Sequence, residues 1–362
     1  MSGSTSPRLT TAEPPPTLTA IAARVTARVV AFVTAAGERW SALDDDLAGP
    51  FNEIRRMVEA GGKRLRPAFC HWGFVGAGGD PTDRRVVDAG AAFELMHAFA
   101  LFHDDVMDDA SSRRGEPTTH AAYADTHRLA GWSGESRRFG EGAAILVGDL
   151  ASVLADELLV GASEPVWRMW NELRTELNVG QFLDIVGAVR GERRIDRAER
   201  IARYKSGKYT IERPLHLGAL LAAPQRPDEL LAQLSRYGLP LGDAFQMRDD
   251  VIGVFGDSAV TGKPVGGDLL EGKPTSLLAR AAAAATPAQL TVLDRVGAAD
   301  LDADDIAAIQ QVIVDTGALD ALEAAIEESS DTAIEALATI DIAAVARGEL
   351  AELAHYVVGR AG

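Results

Sequence analysis

Residues 88–108 read "DAGAAFELMHAFALFHDDVMD". Up to His103 the segment is apolar on nearly every side. A helix with apolar residues round its whole circumference is buried at the centre of a large bundle. It then ends in charge: in "FHDDVMDDASSRRG", residues 102–115, four aspartates fall within six positions and Arg113 and Arg114 follow. The aspartates repel one another, and the C-terminal end of a helix is already unfavourable to anions. Folding alone gives no reason to gather them there.

On a helix, Asp104 and Asp108 project from one face, with Asp105 about 100° away. Two stacked carboxylates facing a cavity suit a hard divalent cation that prefers oxygen ligands, magnesium first among them. A solvated acidic helix end is the plain alternative. A second pair, Asp249 and Asp250 in "GDAFQMRDDVIGVFGD" (242–257), also ends an apolar helical run. Its i+4 position is Gly253, so it has no counterpart to Asp108. Two such pairs can face each other across a cavity and together hold more metal than either could. Basic residues come in short groups: Lys63, Arg64 and Arg66 in "GGKRLRP" (61–67), Arg113 and Arg114, Lys205 and Lys208 in "YKSGKY" (204–209), and Lys263 and Lys273 in "TGKPVGGDLLEGK" (261–273). Any one group is commonly a solvated surface. Interleaved with two aspartate pairs, the groups point to recognition of a polyanion, since arginine forks and lysine point charges both suit phosphate oxygens.

The 362-residue chain is 47% apolar, with a formal net charge of -17 and one cysteine, Cys70. That composition can bury a sizeable core. The acidity argues against a nucleic-acid binder, which needs a basic stripe, and suits an acidic cytoplasmic protein. Cys70 has no partner for an internal disulfide, which fits a reducing compartment, and in "PAFCHW" it reads as a packing residue. No run reaches the roughly 18 apolar residues of a membrane span, and no secretory signal pattern opens the chain. Residues 1–17 are Ser/Thr/Pro-rich and read as a disordered tail. From Leu18 onward, Ile21, Val25, Val29, Phe32 and Val33 recur at helical spacing, and Leu322, Ile326, Ala333, Leu337 and Ile340 do the same near the other end. Strand-like alternation is almost absent, and no linker splits the body. The expected architecture is one all-α domain over residues 18–362.

Taken in order, "GGKRLRP", "HDDVMD" with its following "RRG", "GQFLD", "KSG", "FQMRDD" and "TGKPVGGDLLEGK" resemble the trans-isoprenyl diphosphate synthases, the head-to-tail prenyltransferases. The match covers roughly residues 50–280, and "ELAHYVVGR" is similar to the family's closing helix. The resemblance implies the isoprenoid synthase fold, a large helical bundle around a central apolar cavity, in a homodimer. It implies that Asp104 and Asp108 bind a pair of Mg2+ ions with Asp105 in support, and that Asp249 binds a third with Asp250 nearby. Arg113, Lys205, Lys263 and Lys273 would grip the diphosphate of an allylic substrate; Gln246 precedes the second pair, and Ser206 stands where a threonine is more usual. Lys63, Arg66, His97 and Arg114 would hold the diphosphate of isopentenyl diphosphate. Gln181 and Asp184, in "GQFLD", match a further site pattern, with Gln181 ordering the metal shell. Gly253 stands where many members carry a third aspartate. Asp257 would compensate only if the helix ran two turns past Asp250.

On this resemblance the diphosphate departs from the allylic substrate, and an apolar interior shields the resulting carbocation from water until the double bond of isopentenyl diphosphate attacks it. Ala100 and Phe99, four and five residues before Asp104, are the expected floor for the growing chain, Phe99 about 7.5 Å below along the axis. An aromatic at this position implies geranylgeranyl diphosphate as product, with farnesyl diphosphate as the alternative, and Phe99→Ala is expected to lengthen it. A class I terpene cyclase and a non-catalytic partner subunit of a heteromeric synthase are the rival readings. The paired Asp249–Asp250, "GGKRLRP" and the double arginine speak against the first. Intact Asp104, Asp105 and Asp108 speak against the second. A docking role for the tail stays open.

Overall fold

The segment from Arg84 to Met107 is one helix at the middle of the bundle, as its apolar circumference predicts. Asp83 starts it by accepting a hydrogen bond from the Arg85 amide at 2.8 Å, which satisfies one orphan donor of the first turn. Phe93, Leu95, Met96 and Phe102 are at most 1% exposed, and Phe93 meets Trp170 edge-on at 5.4 Å. Small residues bring neighbours close: a β-carbon on Gly90 would lie 2.8 Å from a Val25 methyl.

The structure, a computed structural model, describes residues 13–225, 227–256 and 265–360. Before the central helix α4 (Arg84–Met107) come α1 (Pro16–Ser41), α2 (Ala48–Glu59) and α3 (Leu65–Gly76). After it follow α5 (Thr119–Leu129), α6 (Ser136–Leu158), α7 (Glu164–Val189) and α8 (Ile195–Ala202), then a π-helix (Arg203–Glu212) running into α9 (Arg213–Ala222). The long α10 (Pro227–Phe255) leads to α11 (Gly267–Leu270), α12 (Ser276–Ala284), α13 (Pro287–Leu293), α14 (Ala303–Asp315), α15 (Ala318–Leu337) and α16 (Ala344–Gly359). Among the described residues the extended structure is one antiparallel ladder, pairing Ser112 with Pro117 and Arg113 with Glu116. Its turn holds Arg114 at φ 55 and Gly115 at φ 80, the two left-handed residues of a type I′ hairpin.

Pro16 takes a first-turn position that suits proline. Pro16 and Thr17 therefore belong to α1 rather than to the tail expected over residues 1–17, and Thr17 donates to Glu349 on α16 at 2.5 Å. The first twelve residues lie outside the described ones. Among the described helices, α1 alone has the length and hydropathy to cross a membrane. Its stripe of Leu18, Ile21, Val25, Val29 and Val33 is instead buried against its neighbours, and Arg28 pairs with Asp88 on α4 at 2.5 Å.

Two apolar clusters fill the interior. The larger gathers α1, α3, α4, α7 and α9, and takes Ala333, Leu337 and Ile340 from the far end of the chain. The smaller packs Val251 and Val254 of α10 against Leu277, Ile309, Ile313, Leu322 and Ile326. A buried Arg248–Glu323 pair, with contacts of 2.8 and 2.7 Å, fixes α10 against α15. Such a pair sets geometry more than it adds stability.

Helices α3 and α9 touch backbone to backbone. A β-carbon on Gly73 would lie 2.3 Å from the Leu215 carbonyl oxygen, and one on Gly218 2.0 Å from that of Cys70. Cys70 is fully buried, and burial pushes its thiol pKa up, so it is an inert packing residue. The crossing yields a prediction. Gly218→Ala forces two rigid backbones apart and is expected to cost about 3 kcal/mol, read as a lowered urea midpoint with an unchanged slope.

Candidate active site

Where α4, α7, the π-helix and α10 meet lies a cavity of about 550 Å3. Asp104, Gln181, Asp184, Lys205, Ser206, Gln246, Asp249 and Lys273 line it, as do Lys63, Arg66, His97, Arg113 and Arg114. Leu101, Leu177, Ala198, Ile201 and Ile252 supply its apolar wall. Asp104 from α4 and Asp249 with Asp250 from α10 therefore reach a common hollow, whose lining does not include Asp108.

Asp104 accepts a hydrogen bond from Gln181 Nε2 at 3.0 Å, with Lys205 Nζ and Arg113 Nη2 each 3.6 Å from its carboxylate. Burial opposes its ionisation, but Lys205, Lys273 and Arg113 outweigh that and hold its pKa below the ordinary value. Asp108, one turn on, meets Lys273 Nζ at 3.5 Å. Burial, then the charge on Asp104, pushes Asp108 up to about 6. Asp105 turns away from the pair, 2% exposed, and accepts from Arg113 Nε at 2.7 Å. It thereby aims the guanidinium across the face of Asp104. Its other oxygen, Oδ2, has no partner among the described residues.

On α10, the Asp249 carboxylate is met by the guanidinium of Arg360, at the end of the chain. That guanidinium also lies 4.1 Å over the Phe245 ring. Asp250 is buried and accepts from Gln246 Nε2 and the Ser276 amide, both at 2.9 Å. Burial, more than any neighbouring charge, pushes Asp250 up to about 8.

Lys205 donates to Asp184 at 2.5 Å. Burial works against its charge, yet the Asp104 and Asp184 carboxylates raise its pKa on balance. The π-helix that carries it is gripped on two sides. A β-carbon on Gly180 of α7 would lie 2.4 Å from the Lys205 amide nitrogen, and one on Gly207 2.9 Å from the Gly242 carbonyl oxygen of α10. Such an element commonly marks a functional site, and this one turns Lys205, Ser206, Tyr209 and Thr210 into the cavity.

The second basic group is arranged differently. Arg64, at φ 51, points inward to Glu94 at 2.6 Å. Arg66 lies over the Tyr209 ring at 4.3 Å, and Arg114 donates to the Gly61 carbonyl. Arg66 Nε and His97 Nδ1 are buried without partners among the described residues. Burial, then the neighbouring arginines, hold the His97 pKa well below its usual value, so the imidazole is neutral.

Of the two floor candidates, Ala100 lines the cavity. Phe99 does not: one residue along a helix turns about 100°, and its ring packs on His103 at 4.6 Å instead. Lys263 and Asp257 lie outside the described residues. The cavity also takes Glu94, Tyr209, Asp268 and Glu271, and Arg360 enters through Asp249. Sequence reasoning passed over these, although Asp268 and Glu271 stood inside a segment already singled out for its lysines.

The donor set fits a hard cation: Asp104, Asp108 and Asp249 offer carboxylate oxygens, and each already faces a side-chain cation. No three His, Cys, Asp or Glu side chains among the described residues converge closely enough to hold an ion by themselves. Oxygens from a bound ligand would have to complete the shell, as is usual for Mg2+ with phosphates.

A helical bundle that brings Asp104, Asp249, Asp250 and several basic groups round one partly apolar cavity is the isoprenoid synthase fold. The polyprenyl synthetase family model matches residues 51–313, and the chain belongs to that family. A geranylfarnesyl diphosphate synthase of Aeropyrum pernix is 32% identical over 276 residues, covering 74% of this chain and 80% of its own length. A (2E,6E)-farnesyl diphosphate synthase of Mycobacterium bovis is 30% identical over 307 residues, 83% of this chain and 80% of that protein. A geranylgeranyl pyrophosphate synthase of Corynebacterium glutamicum, solved with isoprenyl diphosphate and magnesium, superposes with a TM-score of 0.88 at 35% identity, covering 94% of this chain and 98% of that one.

Behind the π-helix, Glu176 accepts from Arg213 Nε at 2.7 Å and also pairs with Lys208, while His216 Nε2 lies 3.1 Å from Ser235 Oγ. Burial, then Arg213, lowers the His216 pKa to about 3. The unfolded chain takes up a proton near the ordinary value of about 6.5 and the folded chain does not. This contribution to stability is therefore intact above pH 6.5 and falls, by about 1 kcal/mol per unit, as pH drops toward 3. Urea melts from pH 7.5 to 4.5 should decline more steeply for the native chain than for His216→Gln.

Proposed function

We propose that this prenyltransferase joins isopentenyl diphosphate head to tail to an allylic diphosphate, with Mg2+ as cofactor and geranylgeranyl diphosphate as product. The observation that carries the reading is that Asp104 and Asp249, from two different helices, line one cavity with Lys205 and Lys273 between basic and apolar walls.

Magnesium held by Asp104, Asp108 and Asp249 would supply positive charge to the diphosphate leaving group. Lys205, Lys273 and Arg113 bind the same diphosphate, and Lys263 is expected to join them. Because Asp184 and Asp105 fix Lys205 and Arg113 in advance, the positive charge is in place before negative charge builds on the leaving oxygen. Lys63, Arg66, Arg114 and neutral His97 hold the second diphosphate and bring its double bond to the reacting carbon. Arg66 Nε and His97 Nδ1, buried without partners among the described residues, are the atoms such a ligand would engage, each as an N–H donor to a phosphate oxygen, with His97 in its Nδ1–H tautomer. Leu101, Leu177 and Ile201 keep water from the allylic cation.

Exposed apolar residues on α6 and α7, among them Leu146 (68%) and Phe182 (67%), support a homodimer with these helices at its interface. Light scattering on the purified chain should give twice the monomer mass.

The test is an incubation of the purified chain with an allylic primer, isopentenyl diphosphate and Mg2+. Elongated diphosphate is expected; its absence, or conversion of geranylgeranyl diphosphate alone, would overturn the reading. A chelator should abolish turnover, and Asp104→Asn should lower it at least about a hundredfold. Ala100→Phe is expected to shift the product to a shorter chain by chromatography. An unchanged profile would place the floor elsewhere.

A further inference from the structure

Gly253 is one turn past Asp249, where a second carboxylate would pair with it as Asp108 pairs with Asp104. The space is taken by another residue. A β-carbon built on Gly253 would lie 2.0 Å from Asp268 Oδ2 and 2.4 Å from its Cγ. The side chain of α11 is thus laid against bare backbone on α10, and only glycine admits it.

Side chains one turn apart on a helix start about 5–6 Å from each other, so this carboxylate stands roughly where an aspartate at position 253 would begin. Lys273 marks the correspondence from the other side: its Nζ is 3.5 Å from Asp108 Oδ2 and 3.9 Å from Asp268 Oδ1. Beside them the Ser276 hydroxyl, in a residue 2% exposed, lines the same cavity and has no partner among the described residues. A buried polar atom left open there points to a ligand that completes the shell.

We propose that Asp268 supplies, from α11, the carboxylate that position 253 lacks, and so serves with Asp249 as a ligand group for the divalent cation on the α10 side. The inference rests on the prenyl-transfer reading for the identity of the cation, but its test does not use turnover. The full chain is titrated with Mn2+ in the presence of inorganic diphosphate, bound ion is read by electron paramagnetic resonance, and thermal melts check folding. Asp268→Asn should weaken one class of bound ion about tenfold or more and leave the others unchanged. Gly253→Ala, whose β-carbon displaces the carboxylate without replacing it, should do the same. Gly253→Asp combined with Asp268→Ala, which removes the side-chain atoms that would otherwise lie 2.0–2.4 Å from the new β-carbon, should restore the wild-type titration. A wild-type titration in Asp268→Asn, or no recovery in a normally melting double variant, overturns the assignment. If the wild-type chain elongates no prenyl diphosphate while Asp268→Asn still loses Mn2+, the functional reading falls and the ligand assignment stands. Elongation with unaltered Mn2+ binding in Asp268→Asn gives the reverse.

Discussion

The site is governed by the cost of placing several carboxylates in a hollow of low dielectric. A buried carboxylate either finds a cation or takes up a proton. Asp104 is reached by Lys205 and Arg113 and has its pKa held down; Asp108 has Lys273 at 3.5 Å and rises to about 6. Asp250 has neutral donors, Gln246 and the Ser276 amide, and rises to about 8. The order follows how much positive charge surrounds each group against its burial and like-charged neighbours: Lys205, Lys273 and Arg113 together act on Asp104, whereas burial and the Asp104 charge outweigh Lys273 at Asp108. It explains why an acidic chain keeps lysines and arginines beside its densest aspartates.

Those cations are useful only if they are held. Lys205 rides on a π-helix that three glycines allow to be clamped, Gly180 from α7 and the Gly207–Gly242 contact with α10. On the far side, Glu176 anchors the same element through Lys208, and the start of α9 through Arg213. The backbone places the lysine, Asp184 fixes its end, and the cavity is charged before any ligand enters.

How much of this the sequence disclosed depended on whether the signal was periodic or conformational. The central helix, the aspartate pairs and the basic groups were legible because apolar circumference and charge spacing survive without coordinates. Arg64 was grouped with the other cations, yet its left-handed backbone turns it inward to Glu94. Phe99 and Ala100 could not be separated by counting residues, since a single step sends one to His103 and the other to the cavity wall. The sequence offers compensation for Gly253 only along its own helix, at Asp257, but the helix ends at Phe255. Asp268, folded back from the next segment, fills that space instead. Arg360 lay more than a hundred residues from Asp249, and no spacing rule connects residues so far apart.

A site that balances its own charge admits a polyanion only by exchange. Lys205, Lys273 and Arg360 each hold a carboxylate. A diphosphate arriving alone would have to compete with those carboxylates and leave some of them buried and unpaired, which costs several kcal/mol per group. On the proposed function, a diphosphate arriving with divalent cations would offer each side a new partner, phosphate oxygens for the lysines and metal for the aspartates. Every charge would then keep a neighbour. On that same reading, the internal ion pairs would thereby disfavour the anion without its metal and make entry of the two together selective.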